Sequence, residues 1–370
     1  MDVILSNNSI RCIKNNINNC NKKADKNYPF NRLYKQWKWD IDKVTNYHKS
    51  YEIDQGNHNI KVGVIDSGID YSHPDLKNNI IGGKTFTIND KSTLDFTGHG
   101  TMVAGVIAAN GNIKGIAPNI AITPYKVFDK YNNCDSINVI QAIVAAVNDN
   151  IDVINLSLST YKSIFKYNEY VIIIAYLRAI LYAEKNGSIV VSSSGNKSNH
   201  DVDLLQYHKN KIIFSIPAEI PNVITVSATN KNNEIALYSN YCNNITISAP
   251  GGDFGPSWSR NKIIDLKYTI LTTFPVYLPQ SPINEIIGLN SGYIFTVGTS
   301  LAAAMVSATI SLIISRYKNN YGIKPSPSIV RRYLYGGTFP IHDNSSFKCY
   351  GYGIVNTETV SYTHLTLPTK

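Results

Sequence analysis

The sequence predicts an α/β protein with a three-layer, doubly wound and mostly parallel sheet. Apolar, β-branched runs recur along the chain, and segments with helical spacing separate them over roughly 150 residues, which is typical of successive β-α-β units. The composition agrees with this class. Of 370 residues, 43% are hydrophobic and 16% are charged, so the chain can bury a large core and does not resemble a disordered chain or a coiled coil.

The predicted strands are almost uninterrupted apolar runs, as expected when a parallel sheet is covered on both faces. They lie at 60–65, 121–127, 153–158, 188–193 and 223–228. The pattern predicts helices at 100–109, 137–147, 299–316 and 326–335. The most apolar stretch, 171–181, is predicted to be a core helix, since it is short for a membrane span and contains Arg178. The segment 251–292 is rich in Gly, Pro, Ser and Tyr and is predicted to form long surface loops.

The two ends of the chain differ in amino-acid composition from the middle. Residues 1–30 are rich in Asn and Lys, which indicates a mobile extension or the remnant of a pro-segment. They lack the apolar core of a signal peptide, so the chain as written is expected to be cytoplasmic, and secretion is the alternative if the N-terminus is truncated. Residues 361–370 match nothing upstream and are interpreted as a non-native tail. Between them, 31–360 is expected to fold.

Charge and cysteine content limit the partners. The formal net charge is +9, which makes nucleic acid, a membrane surface or an acidic peptide the partners to test. No run of five or more basic residues and no nucleic-acid-binding signature concentrates this charge, so nucleic acid is not expected. The five cysteines contain no close CxxC pair, which argues against a disulfide framework or a zinc site. We therefore expect free thiols, no membrane span and a monomer.

Three short motifs carry the chemistry. Asp66 follows a buried strand, where α/β sheets place ligand-binding and catalytic groups. His99 lies between two glycines at a predicted helix start, and Ser300 opens the long apolar helix. Each alone has an ordinary structural explanation, such as a turn histidine or an N-cap serine. In the order Asp, His, Ser they provide all three parts of a nucleophilic triad.

These motifs resemble a known family. VGVIDSGIDYSHPDL, FTGHGTMVAG and VGTSLAAAMVSA are similar to the three active-site blocks of subtilisin-like serine peptidases. The resemblance extends over roughly 37–360, so it implies that 31–360 is one subtilisin-like peptidase domain and not the two domains that length alone favours. Within the family, QWKWDIDKVTN and ANGNIKGIAP are most similar to the lanthipeptide leader peptidases.

The resemblance implies a role for each motif. Ser300 is expected to be the nucleophile, His99 the general base and then the acid, and Asp66 the group that fixes the imidazole tautomer. Asn196, in a Ser-Ser-Gly-Asn block, resembles the side-chain donor of the family's oxyanion hole, beside the backbone N–H of Ser300. The alternative for Asn196 is an ordinary turn asparagine after a strand.

Substrate binding is expected along Ser157, Leu158 and Ser159, where a peptide would add as a strand. The family usually has glycine where Ser159 stands, so its side chain is expected to narrow the cleft. Related leader peptidases commonly cut after a basic residue, which needs a buried acid. Asp203 is the candidate and Asp201 the second, and both remain explicable as solvated loop acids.

No metal site and no cofactor are expected, with calcium as the open alternative. The loop at 109–114 is too short for the family's tight calcium site, and Asp75 alone falls far below the six to eight oxygens that calcium takes. His73 is expected to be a structural neighbour and not a ligand.

The leading hypothesis is therefore a serine endopeptidase that removes the leader from a lanthipeptide precursor. Such leaders tend to be acidic, which suits a chain of charge +9. The first alternative is a subtilisin-like protease of broad specificity. The second is an inactive or binding-only α/β protein, against which the complete triad argues.

Overall fold

The computed structural model describes residues 4–5, 34, 37–88, 90–198, 213–241, 244–341 and 347–360. The predicted tail at 361–370 and most of the predicted extension at 1–30 lie outside this part of the chain. In chain order the strands are β1 (Ile4–Leu5), β2 (Lys61–Asp66), β3 (Lys84–Thr85), β4 (Ala121–Lys126), β5 (Val153–Leu156), β6 (Thr160–Ser163), β7 (Ile189–Ser193), β8 (Ile213–Ile216), β9 (Ile224–Thr229), β10 (Ile247–Pro250), β11 (Ile263–Ile264), β12 (Ile270–Thr273) and β13 (Tyr293–Thr296).

The helices follow the same order and include all those predicted from sequence. They are α1 (Trp39–Val44), α2 (Lys49–Ile53), α3 (His99–Ala108), α4 (Ser136–Asn148), α5 (Tyr167–Lys185), α6 (Trp258–Asn261), α7 (Pro282–Ile287), α8 (Thr299–Tyr321), α9 (Pro327–Gly336) and α10 (Phe347–Tyr350). The boundaries of the predicted helices differ from the observed ones by at most five residues. α8 continues past the predicted end at residue 316 because its apolar face continues, and it ends where Gly322 adopts a left-handed conformation at φ 71°.

The central sheet has seven parallel strands in the order β10-β9-β7-β5-β2-β4-β3. The mostly parallel α/β fold predicted from sequence is confirmed. β2 lies between β4 and β5, so the chain first builds one side of β2 and then crosses to the other. Ligand sites in such sheets lie at the carboxyl end of the strand where the order reverses, and that position here is Asp66.

Helices cover both faces of the sheet. α3 and α8 pack on one face in the larger hydrophobic core, and α4 and α5 pack on the other. Of the described helices, α8 alone is long and apolar enough to span a membrane, with a mean hydropathy of 1.4, but 94% of that stretch is buried inside the protein. It is therefore the central core helix of the fold.

The prediction of surface loops for 251–292 is wrong in part. β12 lies within this segment, pairs antiparallel with β13 and is fully buried against α3. Thr272 and Thr273 donate hydrogen bonds to the carbonyls of Met102 and Thr101, 2.8 and 2.7 Å away. β12 has only four residues, which is too few for a strand pattern to be recognised among the surrounding turn residues.

Candidate active site

Asp66 and His99 form a hydrogen-bonded pair at the carboxyl end of β2. The distance from His99 Nδ1 to Asp66 Oδ1 is 2.7 Å. Asp66 is fully buried, and the backbone N–H of Ser67 donates to the same oxygen at 2.7 Å. Burial alone would lower the pKa of the imidazole, but the charge of Asp66 and this hydrogen bond outweigh it, and Asp95 adds to them, so the pKa of His99 is raised.

Asp95 holds the start of α3, the helix that begins with His99. Its Oδ1 accepts from the backbone N–H groups of Thr97 and Gly98, and its Oδ2 accepts from the N–H and hydroxyl of Thr101, all within 3.0 Å. The hydroxyl of Ser67 also donates to Oδ1, at 2.9 Å. A buried carboxylate thus satisfies the free N–H groups of the first helical turn and ties them to the residue after Asp66.

Glycine is required on both sides of His99. Gly98 has φ +94°, and a Cβ there would lie 2.2 Å from the Phe274 ring. A Cβ on Gly100 would lie 2.0 Å from the backbone oxygen of Gly68. The two glycines therefore allow α3 to approach the end of β2 closely enough for the pair to form.

Ser300 is in the first turn of α8 and is 7% exposed. Its hydroxyl donates to the carbonyl oxygen of Ser157 at 3.3 Å, and the Ser157 hydroxyl donates back to the carbonyl oxygen of Ser300 at 3.0 Å. Asn155 donates to the Ser157 hydroxyl and accepts from Ser307, so the network continues into α8. The start of α8 is thereby fixed to the end of β5.

Asn196 lies beside the same helix start. Its Oδ1 accepts from the backbone N–H of Thr299 at 3.0 Å and from the Thr299 hydroxyl at 2.7 Å. The amide nitrogen Nδ2 lies next to Gly298, 3.6 Å from where a Cβ on that residue would lie. The N–H of Ser300 is free of intrahelical bonding because of its position in the first turn. Two donors therefore flank Ser300.

A cavity of about 1020 Å³ is lined by Leu158 and Ser159, the two residues after Ser157, but not by Asp66, His99, Asn196 or Ser300. Tyr131, Val139 of α4 and Tyr176 of α5 also line it. Ser159 is exposed, whereas Ser157 is buried and belongs to the hydrogen-bond network of Ser300. Asp201 and Asp203 lie outside the described residues.

The sequence predicted Asp66, His99, Asn196 and Ser300 as site residues. In the structure all four lie at the same edge of the sheet. The sequence did not reveal Asp95 and Thr299, which act through their neighbours. Asp95 is four residues before His99, outside the N-cap position where capping residues are recognised in a sequence. Thr299 could not be identified from the sequence either, because it contacts Asn196, which lies 103 residues away in the chain.

Comparison with known proteins identifies the architecture. The sequence profile of the subtilase family matches residues 57–353. The chain belongs to this family. It is 33% identical over 336 residues to the epidermin leader peptide-processing serine protease of Staphylococcus epidermidis, covering 83% of this chain and 70% of that one. It is 34% identical over 291 residues to the major intracellular serine protease of Bacillus subtilis strain 168, covering 76% and 77%.

The crystal structure of a lanthipeptide protease superposes with a TM-score of 0.81 at 34% identity, covering 90% of this chain and 96% of that one. The resemblance drawn from the three motifs is therefore confirmed at the level of the family and of its leader-processing relatives. The protein is a subtilisin-like serine endopeptidase.

The calcium site of many subtilases does not fit the residues found here. Asp75 Oδ1 accepts from the N–H of Asn112, and Oδ2 accepts from the N–H of Ile113 and the hydroxyl of Tyr293, at 2.9–3.0 Å. A carboxylate surrounded by donors cannot offer the same lone pairs to a cation. His73 is buried and binds the carbonyl of Gly292 at 2.8 Å, as a structural residue does.

Proposed function

We propose that this peptidase removes the leader from a lanthipeptide precursor by a single cut, with Ser300 as nucleophile, His99 as general base and acid, and Asp66 as the group that orients His99. The likeness to a lanthipeptide protease over 90% of the chain carries the proposal. The likeness to the epidermin leader peptide-processing protease supports it independently.

The reaction begins when the Ser300 hydroxyl turns from the Ser157 carbonyl toward His99. Rotation about its side-chain bond moves between staggered positions and needs no backbone movement. His99 takes the proton on Nε2 as Oγ attacks the scissile carbonyl, since Nδ1 is committed to Asp66 at 2.7 Å. The charge of Asp66 stabilises the imidazolium that forms. His99 then gives the proton to the leaving amine, and water hydrolyses the acyl-enzyme by the same steps.

The oxyanion of each tetrahedral intermediate lies between two donors. One is the N–H of Ser300 at the start of α8, where the helix dipole also favours negative charge. The other is Nδ2 of Asn196, which the Thr299 contacts hold in place before substrate arrives. Donors fixed in advance favour the transition state because they need no reorganisation when charge develops.

The test compares one precursor with a general substrate. The epidermin precursor and casein are incubated with the protein and with Ser300→Ala, and products are followed by mass spectrometry. We expect one cut in the precursor, little digestion of casein and no product with Ser300→Ala. Labelling by a fluorophosphonate is expected for the parent and not for the variant.

The second candidate function is a subtilase of broad specificity. The similarity to the major intracellular serine protease of B. subtilis favours it. Many cuts in casein, together with several cuts in the precursor, would establish that function and reject the single-cut proposal.

The residue before the cut is tested separately. We propose that Asp203 provides the acid of a pocket for a basic residue, with Asp201 as the second candidate, to which the same loss in Asp201→Ala would assign that role. Peptide p-nitroanilides ending in Arg, Leu and Ala are compared for the parent, Asp203→Ala and Asp201→Ala. A loss of about tenfold or more confined to Asp203→Ala on the Arg peptide is expected, as for removal of one charged partner. Equal rates for Asp203→Ala and the parent would remove Asp203 from the pocket.

A further inference from the structure

Asn196 lies in the turn that follows β7, and it is exposed although an oxyanion donor needs a fixed position. Its side-chain oxygen is held by Thr299 at the start of α8. That contact does not hold the backbone of the turn. Turns move more than the strands they follow, and a group displaced by about 1 Å can lose about 100-fold of its effect on the rate. The support of this turn therefore matters for turnover.

The side chain of Asn240 supports the turn on both sides of Asn196. Asn240 is only 5% exposed and lies 46 residues after Ser194 in the chain. Its Nδ2 donates to the carbonyl oxygen of Ser194 at 3.0 Å. Its Oδ1 accepts from the backbone N–H of Lys197, also at 3.0 Å. One amide group thus joins the part of the turn before Asn196 to the part after it.

The backbone of Asn240 adds two further contacts. Its N–H donates to the carbonyl oxygen of Gly195 at 2.9 Å. Its carbonyl oxygen accepts from the hydroxyl of Ser194 at 2.9 Å. Residues 194, 195 and 197 are therefore all bonded to Asn240. Four hydrogen bonds to one buried residue fix the backbone around Asn196, while the Asn196 side chain stays available for Thr299 and for substrate.

The conformation of Gly195 shows how closely Asn240 fits against the turn. Gly195 has φ +105°, a region that residues with a Cβ rarely adopt. A Cβ at this position would lie 2.5 Å from Asn240 Nδ2. Glycine is therefore needed here so that the amide of Asn240 can lie against the backbone beside Asn196.

The same amide also reaches the strand that follows the expected substrate-binding segment. Nδ2 of Asn240 donates to the hydroxyl oxygen of Tyr161 at 3.0 Å. Tyr161 is in β6, which begins directly after Ser159. The ammonium of Lys197 lies 4.8 Å from the centre of the Tyr161 ring, so the turn contacts the strand directly as well. Asn240 therefore connects the turn that carries Asn196 with this strand.

We infer that Asn240 is a positioning residue, which holds Asn196 where its amide can donate to the oxyanion. The inference rests on the part of the proposed function that makes Asn196 the oxyanion donor. Asn196 is held at two points, by Thr299 at its side-chain oxygen and by Asn240 at the backbone of its turn. Because the two supports act on different parts of the residue, loss of either should weaken the donor.

The test is a double-mutant cycle on one peptide p-nitroanilide. The parent, Asn240→Ala, Asn196→Ala and the double variant are compared by kcat and KM. In the parent, Asn240→Ala is expected to lower kcat by about 30-fold with KM nearly unchanged, as for a displaced group that acts in the transition state. In the Asn196→Ala background the same change should lower kcat by less than about threefold, because the donor that Asn240 positions is already absent.

Inhibitors provide a second readout. A peptide aldehyde adds to the Ser300 hydroxyl and forms a hemiacetal whose oxygen occupies the oxyanion position, whereas the corresponding peptide alcohol forms no adduct. In Asn240→Ala the Ki of the aldehyde should rise about tenfold or more, and the Ki of the alcohol should stay unchanged. A general loss of structure would weaken the binding of both.

Asn240→Ser is the milder variant and decides the question if Asn240→Ala does not fold. Its hydroxyl can satisfy one buried partner, but a single oxygen cannot take the places of both amide atoms. The expected fall in kcat is about tenfold, again only where Asn196 is present.

Asn79→Ala is the matched control. Asn79 is also a buried asparagine, 3% exposed, and its Nδ2 donates to the carbonyl oxygens of Ala108 and Pro118, each at 2.7 Å. Ala108 is at the end of α3 opposite His99. Asn79→Ala should therefore lower the melting temperature about as much as Asn240→Ala but keep kcat within about twofold of the parent.

Separate outcomes decide the donor role of Asn196 and the positioning role of Asn240. Equal losses of kcat from Asn240→Ala in both backgrounds, or a rise in KM at unchanged kcat, would overturn the positioning role while Asn196 stays the donor. A parent-like kcat in Asn196→Ala would overturn both roles. The p-nitroanilide assay needs no lanthipeptide precursor, so leader removal is tested apart from both.

Discussion

The side-chain oxygen of Asn196 accepts hydrogen bonds from both the backbone N–H and the hydroxyl of Thr299, the residue directly before Ser300. These two contacts fix the amide oxygen and so orient the amide group next to Gly298, two residues before the nucleophile. The residue before the nucleophile thus positions the donor for the oxyanion, so the helix start and the oxyanion hole form one unit.

This relationship predicts graded effects on turnover. Asn196→Ala is expected to lower kcat by a factor corresponding to about 2.7–4 kcal/mol, a range measured for such a donor in subtilisin, a member of this family. Thr299→Val removes one of two contacts and is expected to lower kcat about tenfold, as for loss of one hydrogen bond. Thr299→Ser keeps the hydroxyl and is the control, with turnover near that of the parent. Initial rates on one peptide p-nitroanilide provide the comparison, and an unchanged kcat in Asn196→Ala would remove Asn196 from the site.

The Asp66–His99 pair predicts the pH dependence of kcat/KM. His99 acts as a base only when neutral, and Asp66 raises its pKa, so activity should fall with decreasing pH from a point above the ordinary histidine value of about 6.5. Asp66→Asn removes the charge that raises the pKa, so the acid limb should move to lower pH. The rate at the optimum should also fall by about 10⁴, as in another serine peptidase.

Profiles of kcat/KM between pH 5 and 9 for parent and variant check this prediction. The control is the Glu52→Gln variant, which removes an exposed acid on α2. An acid limb at the same pH in parent and Asp66→Asn would show that His99 is not the group that titrates.

Local features of the sequence were enough to predict the sheet, its helices and the positions of Asp66, His99 and Ser300. Strands such as β2 and β9 are mostly apolar and almost entirely buried because both faces of the sheet are covered. The motifs lie at the ends of elements, which places them at one edge of the sheet. The contacts that complete the site could not be predicted in this way. Thr299 meets Asn196, and Ser157 meets Ser300, across 103 and 143 residues, so only the folded sheet brings them together.

Two elements, β12 and α5, differ from what their sequences predict. β12 is buried by α3 and β13, which are distant in sequence, and its four residues show no period of their own. The apolar residues of α5 predict a core helix, but only one stripe of it is buried, and Val171, Leu181 and Tyr182 are 40–46% exposed.

The surroundings of Asp75 predict a protein whose stability does not depend on calcium. Three donors already satisfy its carboxylate, so chelation with EDTA should leave the melting temperature unchanged, and millimolar calcium should not raise it. A bound ion at a hundredfold excess over its Kd would add about 2.7 kcal/mol, which a thermal melt detects as a shift of several degrees. Such a shift would contradict the prediction.

The hydroxyl of Tyr293 should stabilise the folded protein through its hydrogen bond to Asp75. It is buried and donates to Asp75 at 2.9 Å, so Tyr293→Phe is expected to lower the free energy of unfolding by about 1.5–3 kcal/mol, the range for a hydrogen bond to a charged group. Tyr352→Phe is the control, since that ring is 50% exposed and the change should stay within about 0.5 kcal/mol. Urea denaturation measures both. Equal stability of Tyr293→Phe and the parent would mean that the contact contributes nothing.

Asp95 should act as a positioning residue for His99. Asp95→Asn keeps one acceptor but turns an NH₂ group toward the donors at the start of α3, so at least one charged hydrogen bond is lost and a donor is left unpaired. The free energy of unfolding should fall by about 3 kcal/mol, and kcat should fall with KM nearly unchanged because the cleft is untouched. Asp95 also raises the pKa of His99, so the acid limb of kcat/KM should shift to lower pH, less than in Asp66→Asn. A loss of stability with no shift of that limb would assign Asp95 a purely structural role.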